Sequence, residues 1–499
     1  MKLKKSVKFM VAGTILAVGG LFSQPVSASE LATKIAGNKT YSIYKKISKK
    51  GVKSKKTTTA AFKYAHLESS TYRNTKHGRY WYLYANGRAL GWVNEKFFAR
   101  NKISIVKNIS LVRNAKDRGF QTKDAINYVT DRTGSVVDLY KVQVSTPVVM
   151  SDKPGTYHVT YAYNGHTAQN TITVRSDKKE GITHTVATGK AGGQTDKTWM
   201  RHTKGSYDFY KKDHVYQGSN GMKLKTVFFQ PNLLSLPGSE DTQVGIVPEG
   251  MTYADGWVTT SLYFSPNATS VPYAMGHLAS YRLSAFDNKY EAQYIPTEDI
   301  SFKRFQHYSQ NIKVSPYLRL GHGQAIGSTA QYIYVVANYN KAGNPHWSNE
   351  LIRIRKSDML MDKIWTFKVA QKKPKDRRYF HNIAVIDDFT FYGLYHNAKN
   401  HRFEFWKISR NGDSFTSKQV GVINSDLITD TSQVQGFTYD QANQNFYIAF
   451  NDHIFCVKED GTFVSMDKFD TGREFEGLSM KDGKLIVNMS QRAELMQAE

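Results

Sequence analysis

The sequence predicts an all-β protein of three modules, the last of them a β-propeller. Three observations lead there. Apolar and aromatic residues alternate with polar ones in short runs such as Tyr80–Tyr84 and Tyr157–Tyr163, the period of a half-buried strand. Asn86-Gly87 and Asn164-Gly165 follow these runs, and Asn-Gly is the strongest short hairpin signal. Beyond residue 240, five segments repeat a Gly or small residue, an apolar–polar step, a turn and an apolar strand.

The 499 residues carry 68 Lys and Arg against 42 Asp and Glu, a formal charge of +26, with aromatics at 13%. This much aromatic surface excludes a disordered chain, and collagen-like, coiled-coil and polytopic membrane architectures are excluded with it. Lys2, Lys4, Lys5 and Lys8 precede the apolar run Phe9–Phe22, and Val26 and Ala28 occupy the small-residue positions of a leader cleavage site. Residues 1–28 therefore read as a signal peptide. The run is short of the roughly 20 residues of a membrane span. The expectation is a secreted protein without a transmembrane segment. Cys456, the one cysteine, excludes an intramolecular disulfide and reads as a core thiol in a strand.

From Leu31 to Arg100 there are 16 Lys and Arg against two acids, Glu68 and Glu95, so this window carries +14, whereas residues 101–499 share +9. A basic block beside an ordinary body calls for a local anionic partner. For an exported protein that partner is an anionic cell-wall polymer and not nucleic acid. Within the window, Tyr80–Tyr84 forms a strand, Asn86-Gly87 a turn, and Ala89-Leu90-Gly91-Trp92-Val93-Asn94 the returning strand. This arrangement resembles the GW modules of Gram-positive surface proteins over residues 31–102. The resemblance implies an SH3-like barrel that holds its protein noncovalently on the wall, typically through teichoic acid. Trp81, Gly91 and Trp92 match the motif, as ligand contacts or as barrel core. Lys45, Lys46, Lys49, Lys50 and Lys53, with Lys55 and Lys56, are the candidates for polyphosphate contact. No sorting signal with an apolar tail ends the sequence, so wall retention is expected to be noncovalent.

Residues 103–175 make the second unit. Tyr157, Val159, Tyr161 and Tyr163 alternate with His158, Thr160 and Ala162, Asn164-Gly165 turns the chain, and Thr171-Ile172-Thr173-Val174 closes it. The unit resembles a bacterial Ig-like domain, which implies a sandwich acting as a spacer. Residues 175–181, rich in Lys, Asp and Glu, read as a linker.

Over residues 182–499 the five repeats center on Gly250, Gly323, the His381–Val385 segment, Gly436 and Gly477, spaced by about 40 to 75 residues. Degenerate strand-and-turn repeats of this length predict a propeller. Five blades are counted, or six if Val215–Phe229 belongs to another. Propellers set the first strand of each blade around the axis, so the polar residues beside the repeats, Glu249, His322, Gln324, His381, Gln435 and Glu476, are expected at one end of a channel. There they form a binding site or satisfy backbone groups.

Ala191–Trp199, Gly321-His322-Gly323-Gln324-Ala325 and Val434-Gln435-Gly436-Phe437 resemble pieces of the helveticin-type class III bacteriocins, in that family's order. The resemblance implies antibacterial action on an envelope. A non-lethal adhesin binding a surface glycan is the alternative, and a propeller hydrolase or lactonase using Glu249, His381 and Glu476 is a third. His-Glu-x-x-His, Gly-x-Ser-x-Gly and Walker signatures are missing. No catalytic residue, metal ligand or cofactor is assigned.

Overall fold

The computed structural model describes residues 24–25, 40–62, 67–85, 88–132, 134–176, 181–183, 195, 209–230, 247–264, 275–295, 300–338, 347–369, 377–428, 433–490 and 493–499. The leader expected over residues 1–28 lies outside these apart from Gln24 and Pro25, which pair with Tyr72 and Thr71. The Asn86-Gly87 turn and, except for Thr195, the Ala191–Trp199 segment also lie outside. No helix among the described residues is long and apolar enough to cross a membrane.

The C-terminal part is a five-bladed propeller of antiparallel sheets. The first four blades start from Val247–Ala254, Ile326–Ser328, Asn382–Val385 and Gly436–Asp440, and each runs outward through successive hairpins. The fifth joins the two ends of the propeller. Phe475–Lys481, Lys484–Met489 and Glu494–Ala498 come from the C-terminus, and Lys223–Phe229 adds outside them, with Val215–Gln217 at the edge. Residues 215–229 therefore close the fifth blade and do not start a sixth, and the described residues make five blades. Cys456 is buried in its fourth-blade strand, His453–Lys458.

The repeated glycines have a steric cause. A Cβ on Gly250, Gly327, Gly436 or Gly477 would come within 2.4 to 2.7 Å of the neighbouring inner strand: Ile326 for the first, Val385 for the second, Leu478 for the third and Met251 for the last. Only glycine lets inner strands approach this closely around the axis. Phe and Trp side chains such as Phe405, Phe446, Phe367, Trp365 and Trp406 fill the spaces between blades.

The N-terminal module is one sheet in the order Leu67–Thr75, Gly78–Ala85, Arg88–Asn94, Ser42–Ser48 and Gly51–Thr58. Its core residues Ile43, Phe62, Leu67, Trp81, Leu83 and Val93 share one apolar cluster with Phe228, Tyr281, Phe286 and Tyr308. The barrel is thus seated on the propeller.

The Ig-like part is also joined to it. Gly155–Tyr163 and His166–Val174 form the expected hairpin around Asn164 and Gly165, both at positive φ. His166–Val174 then pairs in parallel with Asn108–Leu111, and that strand pairs in parallel with Met361–Phe367, the outer strand of the second blade. The result is a continuous eight-stranded sheet. Arg175, at the start of the expected linker, is buried. Its guanidinium donates to Ser110 O at 3.2 Å, Ser110 Oγ at 3.0 Å and Thr366 O at 3.0 Å. Asn127 brackets Met361 with two further bonds, of 3.1 and 2.8 Å. A freely jointed spacer would not be built this way.

Arg175→Ala removes the three buried hydrogen bonds that its guanidinium makes to Ser110 and Thr366 across the seam, at about 1.5–3 kcal/mol each for a charged donor. Calorimetry of the full chain should show a lower melting temperature and the Ig-like part melting ahead of the propeller. An unchanged thermogram would mean that the seam contributes no coupling.

Candidate functional site

Two surfaces hold the candidate residues. On the N-terminal module, Lys45, Lys46, Lys49, Lys50 and Lys53 are all exposed on the Ser42–Ser48/Gly51–Thr58 hairpin. The register sets Lys46 directly opposite Lys53, a like-charge pairing that costs stability in a sheet. Lys56 has a different role. Its ammonium donates to Ala89 O at 3.3 Å and Leu90 O at 3.0 Å, and burial followed by the charge of Lys45 lowers its pKa. It ties the hairpin to the Arg88–Asn94 strand.

Trp81 and Trp92 are not surface contacts. Trp81 packs on Tyr72 and Phe98 and Trp92 on Tyr82, and both indoles are buried, with only 2% and 7% exposure. Alternation placed them on a strand but did not say that both faces of that strand are covered. Gly91 has φ +133°, and a Cβ there would lie 2.6 Å from Tyr44 O. The Gly-Trp pair thus docks its strand under the lysine hairpin, where Trp92 packs with Ile47 and Tyr80. Its role is packing, and the lysines remain as the exposed groups.

The second surface is one mouth of the propeller axis. Glu249, His322, Gln324, His381, Gln435 and Glu476 sit at or just before the starts of the five inner strands. His322 Nε2 lies 3.5 Å from Glu249 Oε2. The Glu249 carboxyl faces that of Glu476 at hydrogen-bonding range, and Gln324 is in contact with Glu476. Gln324 donates to Gln435, whose amide in turn donates to Asn451 Oδ1 at 3.1 Å and to Glu474. His381 is close enough to His322 to feel its charge. Every blade contributes at least one of these groups.

The mouth narrows from accessible to buried. His322 and His381 are reached by solvent, Gln324 and Glu474 are half-buried, and Glu249 and Glu476 are 5% and 3% exposed. Below them Asn488 Nδ2 donates to Glu249 O at 2.7 Å, and Gln230 Nε2 donates to Asn488 Oδ1 at 2.6 Å. Tyr281 and Thr260 hydroxyls donate to Gln230 Oε1 at 2.5 and 2.8 Å. Glu474, Asn451, Asn488 and Gln230 were not among the sequence candidates. Glu474 stands one strand period before Glu476 and was legible on that ground; the others come from strands or segments outside the repeat pattern.

Electrostatically the mouth is unusual for this protein. Other buried glutamates hold arginines: Glu404 accepts from Arg378 Nε at 2.5 Å and from Trp406 Nε1 at 3.0 Å, Glu494 accepts from Arg473 at 2.5 Å, and Glu350 pairs with Arg319. Burial raises the Glu494 pKa, but His214 and Arg473 outweigh it and hold the carboxyl below its ordinary value. Glu249 and Glu476 have each other instead. Burial, then the charge of Glu474, pushes Glu249 up to about 8. Burial first, then the charges of Glu249 and Glu474, pushes Glu476 well up. Two carboxylates in contact lack a donor between them unless one is protonated, and the Oε2 atoms of both have no hydrogen-bond partner. His322 and His381 open to solvent on one side and are crowded by protein on the others, which lowers both, His381 to about 4 with the charge of His322 as the second cause. At neutral pH the mouth is therefore a carboxyl pair sharing protons beneath two neutral imidazoles.

Residues 27–99 match the family profile of the GW (Gly-Tryp) dipeptide domain, and residues 120–174 that of the bacterial Ig-like domain (group 3). No curated protein matches the sequence. Solved structures with similarity include Myxococcus xanthus glutaminyl cyclase, at 11% identity over 50% of this chain and 89% of that one, with a TM-score of 0.28. A Xanthomonas campestris gluconolactonase aligns at 9% identity over 57% and 94%, with a TM-score of 0.29. BamB from Moraxella catarrhalis aligns at 7% over 57% and 90%, with a TM-score of 0.23.

The carboxyl pair makes a signed prediction. A carboxyl whose folded pKa is raised contributes most stability below the unfolded value of about 4.5 and loses it as pH rises toward 8. Glu249→Gln should therefore melt higher than the parent at pH 8, with the difference closing at pH 5. Melting curves at the two pH values check this; a variant destabilised equally at both would mean that Glu249 is held as a structural acceptor.

Proposed function

We propose that this is a surface-associated protein which its GW-type module attaches noncovalently to the cell wall, presenting the propeller mouth to a bacterial envelope. The observation that carries the reading is the exposed lysine hairpin of residues 42–58 within a segment matching the GW domain. A row of exposed ammonium groups on a hairpin suits a flexible polyphosphate, since each phosphate exchanges a counterion for a lysine. A teichoic-acid-type polymer is the wall component of that chemistry. The leader-like residues 1–28 support export to where such a polymer lies.

The finer reading is antibacterial. Two of the three helveticin-like pieces, Gly321–Ala325 and Val434–Phe437, contribute His322, Gln324 and Gln435 to the mouth, which supports the propeller as the acting module. On this reading the wall module concentrates the propeller at its target. A non-lethal adhesin would use the same two surfaces to bind without inhibiting growth.

Replacing Lys45, Lys46, Lys49, Lys50 and Lys53 together with Gln should cut retention on isolated cell walls at least tenfold. For the parent, about 1 M salt, where screening reaches roughly 3 Å, or removal of teichoic acid should have the same effect. Sedimentation with walls checks this, and retention that survives all three treatments would end the electrostatic account. Applied to related bacteria, the parent protein should inhibit growth and the Lys→Gln variant should inhibit less. Binding without inhibition would favour the adhesin.

A further inference from the structure

The paired glutamates at the propeller mouth are an expense that the fold does not require. The ladders of the first and fifth blades skip Glu249 and Glu476, the Oε2 atoms of both carboxyls take no bond from the backbone there, and Asn488 bonds the backbone carbonyl of Glu249, not its carboxyl. Burying two acids against each other costs more than burying an acid with an arginine, as Glu404 and Glu494 are buried elsewhere in the same propeller. Residues that store cost in this way mark functional sites. The mouth also has a direction: solvent-reached imidazoles above, half-buried Gln324 and Glu474 at the wall, and two buried carboxyl oxygens without a donor at the base.

We infer that the mouth is a receptor for a small organic cation, a primary ammonium group whose N–H bonds are accepted by Glu249 Oε2 and Glu476 Oε2. Neither Oε2 takes a hydrogen bond from an N–H or O–H group of another residue, His322 Nε2 standing 3.5 Å from that of Glu249, so a donating ligand can replace the shared proton, and a neutral hydroxyl would supply one proton where an ammonium supplies three. The charge of an ammonium also removes the repulsion that the pair and Glu474 otherwise impose, turning a shared-proton pair into two ionised acceptors and making charge-assisted bonds. Glu474 adds a third negative group beside them, held by Gln435. His322 and His381, neutral at pH 7, offer ring faces and nitrogens around an organic group without opposing its charge. A metal ion is the other cation to consider. Among the described residues no group of three or more His, Cys, Asp and Glu side chains has the geometry to hold one, so the ammonium is favoured. This inference is independent of wall attachment, because it concerns groups on the propeller and not the lysine hairpin.

Binding displaces the shared proton, and that supplies the test. Ethanolamine and N-acetylethanolamine, which differ in the charge of the nitrogen, are titrated calorimetrically into the full-length protein at pH 6, 7 and 8, in two buffers of different ionisation enthalpy. Ethanolamine should bind with release of at least one proton, and its affinity should rise by up to about tenfold per pH unit for each proton released; N-acetylethanolamine should bind at least tenfold more weakly. Glu249→Gln/Glu476→Gln should abolish proton release and weaken ethanolamine at least tenfold, while wall retention stays at the parent level. The proton count and pH slope are read on the parent alone, so a double variant that fails to fold leaves the test standing. No binding of ethanolamine, equal binding of the two compounds, or binding unchanged in a folded double variant would each overturn the inference. So would calcium chloride binding with proton release and displacing ethanolamine, which would make the mouth a metal site.

Discussion

The structure depends on closing a ring of five sheets from a linear chain. Glu494–Ala498 near the C-terminus is sandwiched between Lys484–Met489 and Lys223–Phe229, a strand more than 260 positions earlier. That pairing holds the first blade against the last. Across the same seam Gly477 lies against Gly250 and Met251, and Tyr253 N donates to Ser479 Oγ at 3.0 Å. Loop-closure entropy for so distant a pair is paid once, and the inner strands then lock around the axis, glycines of four of them lying against the backbone or the Ile326, Val385 and Leu478 side chains of the next. The Ig-like sheet and the N-terminal barrel attach to blades that already exist.

The seam also explains the mouth. Glu249 begins the first blade's inner strand and Glu476 lies in the fifth's, so the two carboxyls meet because the ring closes. In the same protein Arg378 and Arg473 show how buried acids are stabilised when structure is the only requirement. The contrast separates two kinds of burial. One kind of carboxyl faces an arginine; the other faces a second carboxyl.

Much of this was legible in the sequence, and the exceptions share a cause. The repeats, the Gly165 turn and the strand of Tyr157–Tyr163 follow local rules of period and turn chemistry, and they are where the sequence places them. The six mouth candidates stood near equivalent points of five repeats, His322 and Gln324 sharing one, so blade symmetry carried them to one place. Nonlocal pairing was not legible. Nothing in Lys223–Phe229 says which strand it will join, and the parallel pairing of Asn108–Leu111 with Met361–Phe367 has no turn to announce it. Trp81 and Trp92 stayed open between ligand contact and barrel core for a related reason: alternation gives the face of a strand, whereas burial depends on what covers that face. Here Tyr72 and Phe98 cover one indole and Tyr82 the other.

Hydrogen exchange across the seam tests the central claim most directly. If closure of the fifth blade holds the ring and the mouth together, the backbone amides of Lys223–Phe229 that bond to Glu494–Ala498 should exchange as slowly as those of Phe475–Lys481, and all should open in one event at the global unfolding free energy. Fast, independent exchange of Lys223–Phe229 while Phe475–Lys481 stays protected would contradict the account, because the ring would then stand without its closing strand.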